Sequence, residues 1–132
     1  MVILDASVIL KWLIPEADSE KALVFRDRHL SGEEHIGVPS LLFYEVANVI
    51  RYKQDLPDEE LIDLYDIFGS MELIATNPSF QEMEETMIYA RQKGISVYDA
   101  TYVVLARRLG CDLVSADERL VRAANEPFVK LL

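Results

Sequence analysis

Met1-Val-Ile-Leu-Asp5 is a continuous apolar run that stops at an acid. It is too short for a helix and shows no polar alternation, so it reads as a buried parallel strand. Four more runs of this kind follow. They are Glu34–Val38, closed by Pro39; Glu72–Ala75, closed by Thr76-Asn-Pro78; Leu113–Ser115; and Phe128–Leu131. Helix-like segments lie between them. Ser7–Leu13 ends before Pro15, and Asp18–Leu30 stops near Gly32. Pro39–Lys53 carries proline at the first helical position. Asp58–Met71 follows Pro57 and opens with three acids, which favour the positive end of a helix. Pro78–Lys93 and Val97–Leu109 end at Gly94 and Gly110, residues suited to a C-cap. Asp117–Ala124 closes before Pro127. Strands alternating with helices predict an α/β sandwich with a mostly parallel sheet.

The 132 residues make one ordinary domain, spanning 1–132, with no internal repeat, low-complexity tract or linker. Half of the chain is hydrophobic, which excludes a disordered acidic tail. No apolar run approaches the ~20 residues of a membrane span. The start lacks a basic region and meets Asp5 at once, so it is not read as a signal peptide. With one cysteine, Cys111, there is no internal disulfide and no Cys-rich zinc site. Cys111 is expected to be a small buried residue, and a reducing, cytoplasmic home is the default. The net charge of −10 argues against a broad basic face that grips nucleic acid. It leaves room for an enzyme that holds a strand locally, and it suits a basic protein partner.

Ligands of open α/β sheets bind outside the carboxyl ends of the strands. Asp5 ends the first run and Asp117 follows the fourth, in Leu113-Val-Ser-Ala-Asp117. Either also reads as a cap of the helix that follows. Glu45 lies in Pro39-Ser-Leu-Leu-Phe-Tyr-Glu-Val-Ala-Asn-Val-Ile-Arg51, on a stripe with Leu41, Leu42, Val46, Val49 and Tyr52. A glutamate on a face meant for the core needs a partner, either an arginine or a metal. Asp99 shares a helical face with Tyr102, Val103 and Ala106, and also reads as the third residue of a capping box opened by Ser96. Four anions within ~5 Å would repel by roughly 3 kcal/mol per pair at an effective dielectric of 20. Such a cluster calls for protons or cations, and oxygen ligands without His or Cys select Mg²⁺ or Mn²⁺. His29 and His35 fall near a polar loop region and read as surface residues.

Four blocks of this sequence resemble the PIN-domain family, in particular its VapC-like toxin ribonucleases. They are Val2-Ile-Leu-Asp-Ala-Ser7, Pro39-Ser-Leu-Leu-Phe-Tyr-Glu-Val-Ala-Asn48, Tyr98-Asp-Ala-Thr-Tyr102 and Leu113-Val-Ser-Ala-Asp-Glu-Arg-Leu120. The resemblance spans essentially the whole chain, with the blocks in the family's order. It implies a three-layer sandwich with a five-stranded parallel sheet of order 3-2-1-4-5. It carries the acidic site onto Asp5, Glu45, Asp99 and Asp117, and supporting hydroxyls onto Ser7 and Ser115, the latter where the family often has threonine. It further implies a Mg²⁺- or Mn²⁺-dependent endoribonuclease acting on single-stranded RNA, a homodimer, and a small antitoxin protein as partner. Arg51, Arg107 and Arg108 are candidates for phosphate contacts. Trp12 and Tyr44 are candidates for base stacking, although core packing also accounts for them.

Two other readings remain. A catalytically silent PIN-fold binding module would keep the fold without the chemistry, but usually loses acids that are all present here. A phosphotransfer enzyme using an aspartyl phosphate would want a second Asp close after the first, where Ser7 stands, and a late lysine at a strand end.

Overall fold

The computed structural model describes residues Met1–Leu132. The first strand, β1 (Val2–Leu4), forms the centre of a sheet. It pairs in parallel with β2 (Ile36–Pro39) on one side and β4 (Asp112–Ser115) on the other. Beyond them lie β3 (Ile74–Thr76) and β5 (Val129–Leu131), so the order is β3-β2-β1-β4-β5 with every pair parallel. This is the fold class and strand order that the sequence and its resemblance predict.

Side chains alternate across the strands and so define two cores. Val2, Leu4, Ile36, Val38 and Val114 point to one face. That face is covered by α1 (Ala6–Leu13), α2 (Ser19–Leu30), α3 (Leu41–Ile50) and α4 (Asp58–Gly69). Ile3, Leu113 and Val129 point to the other, covered by α5 (Phe80–Lys93), α6 (Val97–Leu109) and α7 (Glu118–Ala124). Each fully buried aliphatic side chain of these clusters contributes roughly 1.5–3 kcal/mol by leaving water. Gly37 sits opposite Ile3, and a Cβ there would lie 3.0 Å from Ile3 Cδ1. A side chain at that position would therefore press on the packing of the central strand.

Helix ends follow the sequence signals. Gly94 and Gly110 close α5 and α6 with positive φ. Ser79 and Glu82 form a full capping box at the start of α5.

Four expectations are corrected. Pro39 ends β2, in register with Thr76, rather than opening a helix; α3 starts at Leu41. Pro39 lies past the residues of β2 that pair with β1, and the next bond to β3 comes from the Ser40 amide, which donates to the Thr76 carbonyl at 2.9 Å, so the missing Pro39 N–H leaves that bond intact. The runs at β3 and β5 are not buried on both sides: Ile74, Ala75, Lys130 and Leu131 are exposed, because both strands lie at sheet edges. Cys111 is only half-buried. His29 is not a free surface residue. Its Nδ1 accepts from the Ile36 amide at 3.2 Å, and its Nε2 lies 2.9 Å from the Met71 carbonyl. The ring thereby ties α2 to the start of β2 and to the turn after α4. No helix is long and apolar enough to cross a membrane.

Candidate active site

All five strands run the same way, so their carboxyl ends share one edge of the sheet. The chain leaves β1 toward β2 and β3 on one side and later fills β4 and β5 on the other. The crevice where the order reverses lies at β1, and Asp5 stands there. Leu4 pairs with Val114, which brings the residues after both strands side by side.

Asp5 is buried and is the N-cap of α1, accepting from the Ser7 amide at 3.0 Å and from the Ser7 hydroxyl. Ser7 Oγ in turn accepts from the Ala116 amide at 2.8 Å and lies 3.4 Å from Ser115 Oγ. Ser115 Oγ accepts from the Asp117 amide at 3.0 Å. Two hydroxyls thus join the strand-end acids through the backbone of the loop after β4. Asp117 caps α7, accepting from the Arg119 amide at 2.9 Å, and its residue is exposed. The capping readings of Asp5 and Asp117 hold, and they do not remove these acids from the crevice.

Glu45 comes from α3 and Asp99 from the first turn of α6. Both are half-buried and both line one open cavity of roughly 820 Å³. The buried stripe of α3 is Leu42, Val46 and Ile50. Val49 and Tyr52 are exposed, so Glu45 borders the core instead of interrupting it. Its partner is the buried Tyr102 of α6, whose hydroxyl donates to Glu45 Oε1. Sequence reading placed Tyr102 on the face of Asp99 but missed this bond; the signal was a hydroxyl on an otherwise apolar stripe. The Ser96 hydroxyl accepts from the Asp99 amide at 3.0 Å, which is the capping half of the expected box.

The four carboxyls act on one another. Burial raises the pKa of Asp5, partly offset by the Ser115 and Ser7 hydroxyls. Burial also raises Glu45, with Asp5 and Asp99 adding to the effect by repulsion. Burial raises Asp99, and the charge of Asp117 pushes it further, while Ser96 and Arg119 pull it down. No salt bridge reaches any of the four. As the side chains lie, no three acidic, histidine or cysteine groups converge tightly enough to hold one ion. The fit of a divalent cation rests instead on donor chemistry: hard oxygen donors, electrostatically coupled and without a salt-bridge partner, with Arg119 only partly offsetting the charge at Asp99.

The proposed arginines separate. Arg51 lines the same cavity as Glu45 and Asp99. Arg107 and Arg108 do not reach it: α6 carries them about 12 Å along its axis from Asp99. There they bind Glu85, and Arg108 also faces Glu82. Trp12 packs against the first core and donates from Nε1 to the Ala22 carbonyl at 2.8 Å, so it is not free to stack. Tyr44 is the opposite case, exposed on the cavity wall rather than packed in the core. No lysine is paired with Asp5; Lys130 binds Asp112 and Lys11 faces Glu16.

Comparison with known proteins adds to this geometry. Ribonuclease VapC3 of Pyrobaculum aerophilum is 29% identical, over 90% of this chain and 91% of its own length. Ribonuclease VapC9 of Mycobacterium tuberculosis is 30% identical, over 91% of this chain and 88% of its own. The fold matches that of a toxin–antitoxin complex from Klebsiella pneumoniae with TM-score 0.71 and 13% identity, covering 98% of this chain and 95% of that one. Residues 2–126 match the PIN domain family, and the chain therefore belongs to that family, among its VapC-like members.

Proposed function

We propose that this protein is an endoribonuclease that cleaves phosphodiester bonds of single-stranded RNA, using Mg²⁺ or Mn²⁺ at Asp5, Glu45, Asp99 and Asp117. One observation carries the reading. Acids from four separate segments lie toward the carboxyl edge of the sheet and are coupled in charge in a chain, Glu45 to Asp5 and Asp99, and Asp99 to Asp117, with none of them in a salt bridge. A fold keeps such an arrangement at a cost in stability, and perturbed acids of this kind mark functional sites. A divalent cation held there would neutralise the phosphate and activate the attacking water.

The chain's own residues have separate tasks. Asp5 is oriented by its cap bonds from the Ser7 amide and hydroxyl, both of which fall on Oδ1. Ser7 and Ser115 hold the loop that carries Asp117. Tyr102 holds Glu45 through one carboxyl oxygen and leaves the other to the site. Arg51 is the cation placed to meet a backbone phosphate.

The names of the ribonuclease relatives support the activity, and the toxin–antitoxin complex supports a biological setting. In that setting the protein is a cytoplasmic toxin, a homodimer held silent by a small antitoxin. The test is cleavage of a mixed single-stranded RNA pool by the wild type and the Asp5→Asn variant, with Mg²⁺, Mn²⁺ or EDTA. Cutting that needs the metal and disappears in the variant is the expected result. Equal cutting by the variant, or cutting that survives EDTA, would remove the carboxylate site from the reading.

A further inference from the structure

The chain has six tyrosines. Four have their hydroxyls engaged: Tyr52 with Arg51, Tyr65 with the Phe43 carbonyl, Tyr89 with Glu126 and Tyr102 with Glu45. The remaining two, Tyr44 and Tyr98, make no hydrogen bond to the protein and are the most exposed, at 75% and 64%. Each directly precedes a site acid, Glu45 on α3 and Asp99 on α6. Both line the cavity that holds these acids, and both also line a second, mainly apolar cavity of roughly 260 Å³ with Leu41, Met83 and Val97. Two bare aromatic rings therefore stand on the wall shared by an acid-bearing cavity and an apolar recess. Arg51 lies on the acid side, stacked on the Tyr52 ring at 3.8 Å and bound to Asn48 Oδ1 at 2.7 Å, with no carboxylate partner. That is notable in a chain with 23 acids and 13 basic residues.

We infer that Tyr44 and Tyr98 form a nucleobase subsite: they stack one unpaired base of an RNA strand whose adjoining phosphate lies at the acids. The inference rests on the ribonuclease reading and gives it a substrate contact. Aromatic faces take any base by stacking, so the subsite selects unstacked, single-stranded RNA over duplex and does not by itself read sequence. It also explains how a chain of net charge −10 holds a polyanion: contact comes from stacking and one arginine rather than from a basic face.

The test uses the full chain with Asp5→Asn, so that RNA is bound but not cut. Its affinity for a fluorescent single-stranded RNA is measured by anisotropy, with Tyr44→Ala, Tyr98→Ala, Tyr44→Phe and Tyr98→Phe added in turn. Each alanine should weaken binding roughly tenfold to a hundredfold, and each phenylalanine should restore most of it. Abasic positions walked along the oligonucleotide should reveal one site at which the alanine effect vanishes. A ring that served only folding would give no such position. If the wild type cleaves RNA yet all four variants bind as tightly as the parent, the subsite is wrong and the ribonuclease reading stands. The exposed rings would then belong to a protein contact. If the wild type neither cleaves nor binds RNA, the underlying reading fails with it.

Discussion

At its C-terminal end α6 carries Arg107 and Arg108, bound to Glu85 and Glu82 of α5; at its N-terminal end it carries Asp99, which makes no salt bridge and feels Arg119 only through the field. Both ends gather acids, two at the first and four at the second, and treat them oppositely. The arginines hold Glu85 below the usual carboxylate range. Burial lifts Asp5, and burial together with repulsion lifts Glu45 and Asp99. The first group is an exposed ion-pair network of ordinary surface type. The second group is left uncompensated at the one edge where a parallel sheet presents its ligands. An acidic residue therefore becomes informative through what the fold declines to put beside it.

The largest expected effect breaks the uncompensated end. Asp5→Asn should lower RNA cleavage by at least about a hundredfold. Asparagine caps a helix about as well as aspartate, so circular dichroism and cooperative melting should persist. A variant that melts far below the wild type would show that Asp5 is there for α1 alone. Ser7→Ala keeps the Asp5 cap from the backbone but cuts the hydroxyl link to the Ala116 amide. It should cost about 10–100-fold in activity, read as initial cleavage rate at saturating metal.

A smaller effect concerns pH. Carboxyls raised in the folded state bind protons there that the unfolded chain releases. Stability of the metal-free protein should thus fall as pH rises through the carboxylate range toward neutrality, and recover on acidification. Melting followed from pH 7 down to about pH 5 should show the rise, and Glu45→Gln should reduce it. Added Mg²⁺ at neutral pH should raise the melting temperature by stabilising the charged form. A metal-free melting curve that only falls on acidification would contradict the uncompensated cluster.

The smallest effect comes from the paired end. Arg107→Ala should change stability by about 0.2–1 kcal/mol, less in high salt, and leave cleavage unchanged. Loss of activity in that variant would return Arg107 to the phosphate contacts that its position on α6 argues against.

Much of this was legible before any coordinates. Five apolar runs and their intervening capped segments predicted the sheet and seven helices, and the glycines after α5 and α6 ended them where expected. The four acids stood out because they interrupt apolar stretches or end strands. What sequence could not give was partnership. Nothing in the residues around Glu45 shows that its hydroxyl partner lies 57 positions away at Tyr102. Nor does the spacing of Arg107 and Arg108 reveal Glu85 on the neighbouring helix. His29 was misread for the same reason, since its two ring partners come from separate segments. Edge strands also escaped, because burial on both faces depends on neighbours that only topology supplies.

The central claim is that the uncompensated acids, and not the paired ones, form a site for a divalent cation. Mn²⁺ titration by calorimetry tests it on three proteins: the wild type, a Glu45→Gln/Asp99→Asn double variant and a Glu82→Gln/Glu85→Gln double variant. The account predicts that the wild type and the Glu82/Glu85 variant bind Mn²⁺ alike, while the Glu45/Asp99 variant loses binding. Equal binding by all three, or no binding by the wild type, would contradict it.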